Sequence, residues 1–410
     1  MSNIELNRRR FLQSMGALTA YGSLPLGLAR HAHAQDSGSP ATDRVLVVVH
    51  LDGGCDGINT VIPFADPAYA AARPTLAIAS AEVLKLDATD VGLHPAMTGL
   101  HAWYSQGHVA IVNGVGYPDF NQSHFSAEDI YWTASPENPN QPTGWLGRGL
   151  EAMPTLTTLS GACLQSRVPK SMAAVSYTPP AIPEPDSYLF QTPTNATERA
   201  AQLAAAEAIF GQAPAGEVLF DGLLAADIAA MDSVEDVQAA VAAYASPVAY
   251  GDDDFGQAMK LAGQLIHADL GVRVLTVSQG SYDTHANQAV MLDGLLTAFS
   301  DGIDKFMQDA VTGGFAHRVT VLVWTEFGRR VAENASGGTD HGSSAPMFLI
   351  GAGVRGGLHG NYPSLTDLDN GNLRMTTDFR GVYASVLQDW LGYDADTILG
   401  GTWTRLPLFA

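Results

Sequence analysis

Positive charge is scarce in this sequence: 21 Lys+Arg stand against 42 Asp+Glu in 410 residues, a formal net charge of −21. So acidic a chain lacks the basic footprint that nucleic acid or an anionic membrane surface requires, which excludes both as partners. Cysteine is nearly absent. Cys55 and Cys163 are the only two, too few for a disulfide framework. They leave room for one optional bridge, which would need Cα atoms within about 7 Å, or for two buried thiols. No apolar run approaches the roughly 20 residues that span a bilayer. A Cys-x-x-Cys pair, a haem-attachment motif and a dinucleotide fingerprint are also missing, so redox chemistry finds no support. No internal repeat is visible.

What is present begins at Asn7-Arg8-Arg9-Arg10-Phe11-Leu12-Gln13. Paired arginines, Phe-Leu and a polar residue make the pattern of a twin-arginine export signal. A weakly apolar stretch follows from Met15 to Ala29, broken by Gly16, Gly22, Pro25 and Gly27. It is too short and interrupted to be an anchor. Ala32-His33-Ala34 then supplies the small-x-small pattern of a cleavage site. Residues 1–34 are therefore expected to be a signal peptide, the twin-arginine translocase a partner during export, and the destination periplasmic or secreted. Cleavage after Ala34 would leave 376 of the 410 residues, with 17 Lys+Arg against 41 Asp+Glu, a balance of about −24. Such export carries folded cargo, which raises the expectation of a cofactor.

With 46% of residues apolar, the chain can bury a large core. Residues 44–51 read as a buried strand, apolar almost throughout and β-branched, as in a parallel sheet. Further strands are expected at 109–115, 272–278, 319–325 and 347–351. Helices are expected at 95–105, 255–268 and 289–311. Alternation of this kind indicates an α/β fold: a doubly wound, mostly parallel sheet flanked by helices, forming one domain over 35–410. The middle departs from it. Residues 135–195 are rich in Pro, Ser and Thr, and 196–245 in Ala, so about 135–250 reads as a helical or irregular insertion or cap. Asp252-Asp253-Asp254 suits an acidic helix start.

Open parallel sheets bind ligands beyond the carboxyl ends of their strands. Asp52, Asp56 and Asn59 follow the first strand, and Ser281 to Gln288 the third. Glu326 and Arg329 follow the fourth, and Gly337 to Gly342 precede the fifth. Carboxylates mixed with imidazoles form a ligand set for zinc, manganese, calcium or another divalent ion. Asp52, Asp283, His285, Glu326, Asp340 and His341 are the expected metal ligands. Each pair alone would equally suit a turn or cap; their convergence points to an ion. Ser123 and His124 are the candidate catalytic residues, at the start of a helix whose free amides favour an anion. The alternative there is a capping box of Ser126 with Asp129. Arg329 or Arg330 could meet an anionic substrate, but surface ion pairing is the expectation. His94, His101, His108, His267 and His317 stand isolated, and His359 is the remaining candidate ligand.

Residues 51–59, Gly92-Leu93-His94-Pro95, Ser123-His124-Phe125, 283–288, 325–329 and 338–342 together resemble the DUF1501 family over nearly the whole mature chain. Its members are bacterial, usually carry twin-arginine signals and have no assigned activity. That family is in turn similar to the alkaline phosphatase and sulfatase superfamily. There a strand-end Asp, a Ser or Thr at a helix start and an Asp-His pair gather around metals. Asp52, Ser123 and Asp340-His341 match those elements in type and order, which implies an alkaline-phosphatase-like fold. Asp283-x-His285 departs from the superfamily's wider spacing, and the later His has no counterpart unless it is His359. Nothing around Cys55 resembles the signature by which sulfatases mature a cysteine to formylglycine. Two functions follow as expectations. One is an exported metal-dependent hydrolase of phosphate or sulfate esters; the other is a non-catalytic exported binding or assembly protein that keeps the cation site.

Overall fold

Seven consecutive residues, Val45–Leu51, are buried without exception, so this strand, β1, must be covered on both faces. Alternate side chains point to opposite faces of a strand. Val45, Val47, Val49 and Leu51 enter one core beside Leu100, Phe255, Leu296 and Phe299. Leu46 and Val48 enter a second core with Tyr131, Trp145, Phe379 and Tyr383. The computed structural model describes residues 43–86, 89–188 and 233–410, with positions 197, 198, 201, 204 and 205. The expected export signal and most of the Ala-rich stretch fall outside those residues.

Beyond β1, the elements that build and position the site are helix α1 (Gly57–Thr60), helix α2 (Thr98–Ser105), strand β2 (Val109–Gly116) and helix α3 (His124–Thr133). Helix α4 (Trp145–Glu151), strand β3 (Gly161–Cys163), helix α5 (Asp254–His267) and strand β4 (Val274–Gln279) follow. The chain continues through helix α6 (Gln288–Thr312), strand β5 (Val319–Trp324) and strand β6 (Ala345–Ile350). Short strands β7 (Gly357–His359) and β8 (Thr377–Asp378) and helix α7 (Phe379–Ser385) complete the set. The sheet runs β7-β2-β6-β5-β1-β4-β3, with β8 also pairing with β2. Among the described residues every pairing in it is parallel except the two made by β6. This is the mostly parallel, helix-flanked α/β sheet that the alternating pattern implied.

Strand β6 is the exception for a physical reason. The 325–344 connection contains no crossover helix, so the chain leaves β5 and re-enters the sheet at the same end, which forces an antiparallel neighbour. Residues preceding β6 therefore share an end with residues following β1, β4 and β5. A parallel β6 would have placed them at the opposite end.

The middle segment is tied into this frame. Strand β3 extends the sheet beyond β4, pairing Gly161 with Val274 and Cys163 with Thr276. The Trp145 ring of α4 stacks on Tyr383 at 4.1 Å. Asp253 caps α5 by accepting from the Gly256 amide, so the acidic run does begin a helix. Cys55 and Cys163 are both free and buried, and burial pushes each thiol up to about 12.

Candidate metal centre

Three tight turns deliver the site. After β1 the chain passes through Gly53 and Gly54 at φ +118° and +69°. A Cβ at Gly53 would sit 2.5 Å from the Asp283 amide nitrogen, and one at Gly54 would strike the Phe327 ring. Only glycine lets these loops approach so closely. The Cys55 amide donates to Thr325 Oγ1 at 2.9 Å, and that hydroxyl donates to the Leu51 carbonyl at 2.8 Å, fastening the β1 loop to the β5 loop.

Three histidines then present the same nitrogen to one region. His341 Nδ1 lies 2.8 Å from the Gln122 carbonyl. A carbonyl only accepts, so Nδ1 carries the proton and, in the neutral ring, Nε2 keeps a free lone pair. His124 Nδ1 lies 2.6 Å from Glu326 Oε1. His285 Nδ1 faces Asp340 Oδ1 at 3.4 Å. With each Nδ1 engaged, the three Nε2 atoms turn toward Asp283. Nε2 of His285 and of His341 are 2.9 Å apart, and each is 3.1 Å from Asp283 Oδ1. His124 Nε2 is 3.7 Å from Asp283 Oδ2. Orientation of a ring by a partner on its far nitrogen is the usual support of a metal-bound histidine. Ions held at about 2.1 Å put adjacent donors roughly 3 Å apart, and the Asp283 triangle has that spacing. The buried Phe327 ring lies 4.8 Å from both the His124 and the His341 rings and closes the floor.

Glu326 joins this outer set to an inner one. It is fully buried, and its second oxygen lies 3.2 Å from His50 Nε2. Donor atoms of His50, Asp52, Glu128 and Glu326 all lie within 4.8 Å of one another. Burial raises the Glu326 carboxyl, but hydrogen bonds from His124 and His50 outweigh it and hold the group well below the carboxylate range. His124 moves up through its Glu326 hydrogen bond, against opposing burial. His50 also moves up, because Glu326 with the nearby Asp52 and Glu128 charges overcomes burial. Glu128 is pushed to about 7, mainly by burial and partly by Glu326 and Asp52. Three carboxylates with one imidazole between them are short of positive charge.

The expected ligands thus divide. Asp283, His285 and His341 meet in the outer set, and Asp52 and Glu326 in the inner. Asp340 touches His285 Nδ1 and Asn334 rather than the Nε2 face. His124 is central. Ser123 is the exposed N-cap of α3. That corrects the capping-box alternative: α3 begins at His124, which leaves Ser126 inside the helix. Arg329 is corrected as well, since it is buried, not a surface ion pair. His359 belongs to neither group and bonds the Arg355 carbonyl at 2.9 Å. Asp56 caps α1 and pairs with the buried Arg73, so it is structural. His50 and Glu128 escaped the sequence reading. His50 is hidden in an apolar strand, where its stacking on Trp324 at 4.1 Å satisfies the ring. Glu128 looks like any helix-surface acid.

A family model described as "Protein of unknown function (DUF1501)" matches residues 92–381. No curated protein sequence matches the chain. Among solved structures, the lipoteichoic acid synthase LtaP from Listeria monocytogenes is similar at 10% identity and a TM-score of 0.36, over 88% of this chain and 75% of that one. The PsFucS1 sulfatase from Pseudoalteromonas sp. gives 8% identity and 0.39, over 97% and 73%. A protein in the alkaline phosphatase superfamily from Vibrio parahaemolyticus gives 10% identity and 0.37, over 97% and 78%.

Proposed function

The chain belongs to the DUF1501 family, and we propose that it is an exported metal-dependent hydrolase of phosphate or sulfate esters. The convergence of the His124, His285 and His341 Nε2 atoms on the Asp283 carboxylate carries the reading. The residues fit a divalent ion on two grounds. The outer histidines have their far nitrogens engaged, and the inner Asp52 and Glu128 carboxylates have no hydrogen-bond donor among the described residues. His124, Asp283 and His341 would hold an ion of the zinc or manganese class, with His285 beside them. Asp52, Glu128 and Glu326 offer the oxygen donors that calcium or magnesium prefers. A bound divalent ion supplies charge neutralisation at an ester oxygen and lowers the pKa of an attacking hydroxyl.

The chain's own residues would do the rest. Ser123 precedes the ten-residue helix α3, and its hydroxyl would be the attacking group. The first amides of that helix are donors for an anionic oxygen. Phe327 excludes water from beneath the imidazoles. Glu128, raised to about 7, would take up or release a proton.

The second reading, a non-catalytic exported protein that keeps the cation site, is favoured by one observation. Among the described residues no side chain bonds the Ser123 hydroxyl, so no base prepares it. Export itself rests on the residue 7–34 pattern. No described helix is long and apolar enough to cross a membrane. The discriminating experiment is metal content of the purified protein by mass spectrometry, followed by an ester-hydrolysis screen of the metal-loaded form. Stoichiometric metal with turnover that Ser123→Ala abolishes supports the hydrolase; metal without turnover supports the binding protein.

A further inference from the structure

Arg329 is the most connected side chain at the site. Its guanidinium is fully enclosed and spends its donors on three separate loops. Nε donates to the Gly54 carbonyl at 2.6 Å. Nη1 donates to the Thr339 carbonyl at 3.0 Å. Nη2 reaches the Gly53 carbonyl, the Tyr282 carbonyl at 3.2 Å and Asp283 Oδ1 at 2.6 Å. The loop after β1, the loop after β4 and the turn that leads to Asp340 and His341 therefore share one cation. Four of its five acceptors are backbone carbonyls, which a point charge cannot address at fixed angles and a planar fork can. The fifth is the carboxylate oxygen 3.1 Å from both His285 Nε2 and His341 Nε2.

We infer that Arg329 is the positioning residue of the metal centre: it fixes the Asp283 carboxylate and the registration of three loops, without itself touching an ion or substrate. Its effect is geometric: the Nη2 hydrogen bond to Asp283 Oδ1 at 2.6 Å holds that carboxylate in one orientation. A surface ion pair would show neither enclosure nor carbonyl acceptors. The inference rests on the metal-site reading for its binding readout but not for its structural one.

The test compares Arg329→Lys with the parent protein, because lysine keeps the charge and loses the fork. Zinc and manganese affinity is measured by calorimetry on protein confirmed folded by circular dichroism, and amide exchange of residues 53–54, 282–285 and 339–341 is followed in the metal-free state. Affinity should fall at least about 10-fold, and all three loops should exchange faster together. Unchanged affinity in a folded variant overturns the inference. If the parent protein binds neither metal, the metal reading fails and exchange alone decides: faster exchange in all three loops sustains the loop-fixing role, and unchanged exchange overturns it. Arg329→Met, similar in length and uncharged, guards against a lysine that finds partial substitutes. It should match or exceed the lysine effect, and near-parent behaviour would also overturn the inference.

Discussion

The two sides of Glu326 are built on opposite principles. On the outer side each imidazole has its far nitrogen engaged, and the free nitrogens converge beside one carboxylate that a buried arginine holds in place. On the inner side Asp52 and Glu128 face Glu326 and His50, and neither carboxylate has a hydrogen-bond donor among the described residues. The outer set is organised before any ion arrives. The inner set crowds carboxylates together, and burial, helped by the Glu326 and Asp52 charges, pushes Glu128 to about 7. One protein thus pairs a preorganised, nitrogen-rich site with an electrostatically driven, oxygen-rich one.

Glu326→Gln should break both sides at once and have the largest effect. It leaves the buried His50 and the half-buried His124 without their charge partner, so unfolding free energy should drop by about 3 kcal/mol. Metal content should fall below detection. Because the Glu326 carboxyl is held below its ordinary value, its stabilisation is present above the unfolded pKa and disappears as pH falls through the folded one. Urea unfolding from pH 8 to pH 3 would show parent and variant converging in acid.

His341→Ala separates the sides. It should weaken zinc by more than the roughly 10–100-fold attributed to outer partners, while the inner carboxylates remain. Calorimetry with zinc and then calcium would read this, and equal losses for both ions would contradict two distinct sites.

The pH dependence of zinc binding sharpens the outer side. His124 must shed its Nε2 proton to receive an ion, and its pKa lies above 6.5. Affinity should therefore rise with pH through neutrality and level off above the shifted pKa, with protons released on binding in calorimetry across buffers of different ionisation enthalpy.

Glu128→Gln tests the inner side and should give the smallest effect. A carboxyl raised to about 7 favours the folded state at low pH, and that advantage is lost as pH rises from the unfolded pKa through the folded one. In metal-free protein the variant should match the parent near pH 4 and be more stable at pH 8. Loaded with calcium, it should be the less stable of the two, and the same sign in both states would argue against an inner cation.

Much of this was legible in the sequence. The expected strands at 44–51, 109–115 and 319–325 differ from β1, β2 and β5 by a residue or so at the ends. Helices α5 and α6 likewise lie within one residue of expectation, because apolar period and length alone determine such elements. The gathering of Asp52, Asp283 and Glu326 followed from the carboxyl-end rule. What escaped depended on tertiary context. The reversed direction of β6 carries no periodic signature, yet it explains how residues before a strand can join residues after three others. His50 reads as one polar residue in an apolar strand until Glu326 is placed beside it. Arg329 reads as surface charge because its partners are carbonyls from three loops, none marked in sequence.

The most direct test is an anomalous-diffraction structure of the protein soaked in zinc. A peak within about 2.3 Å of Nε2 of His124 and His341 and of an Asp283 oxygen is the result this account requires. Zinc absent from that position, or found only against Asp52, Glu128 and Glu326, would contradict it.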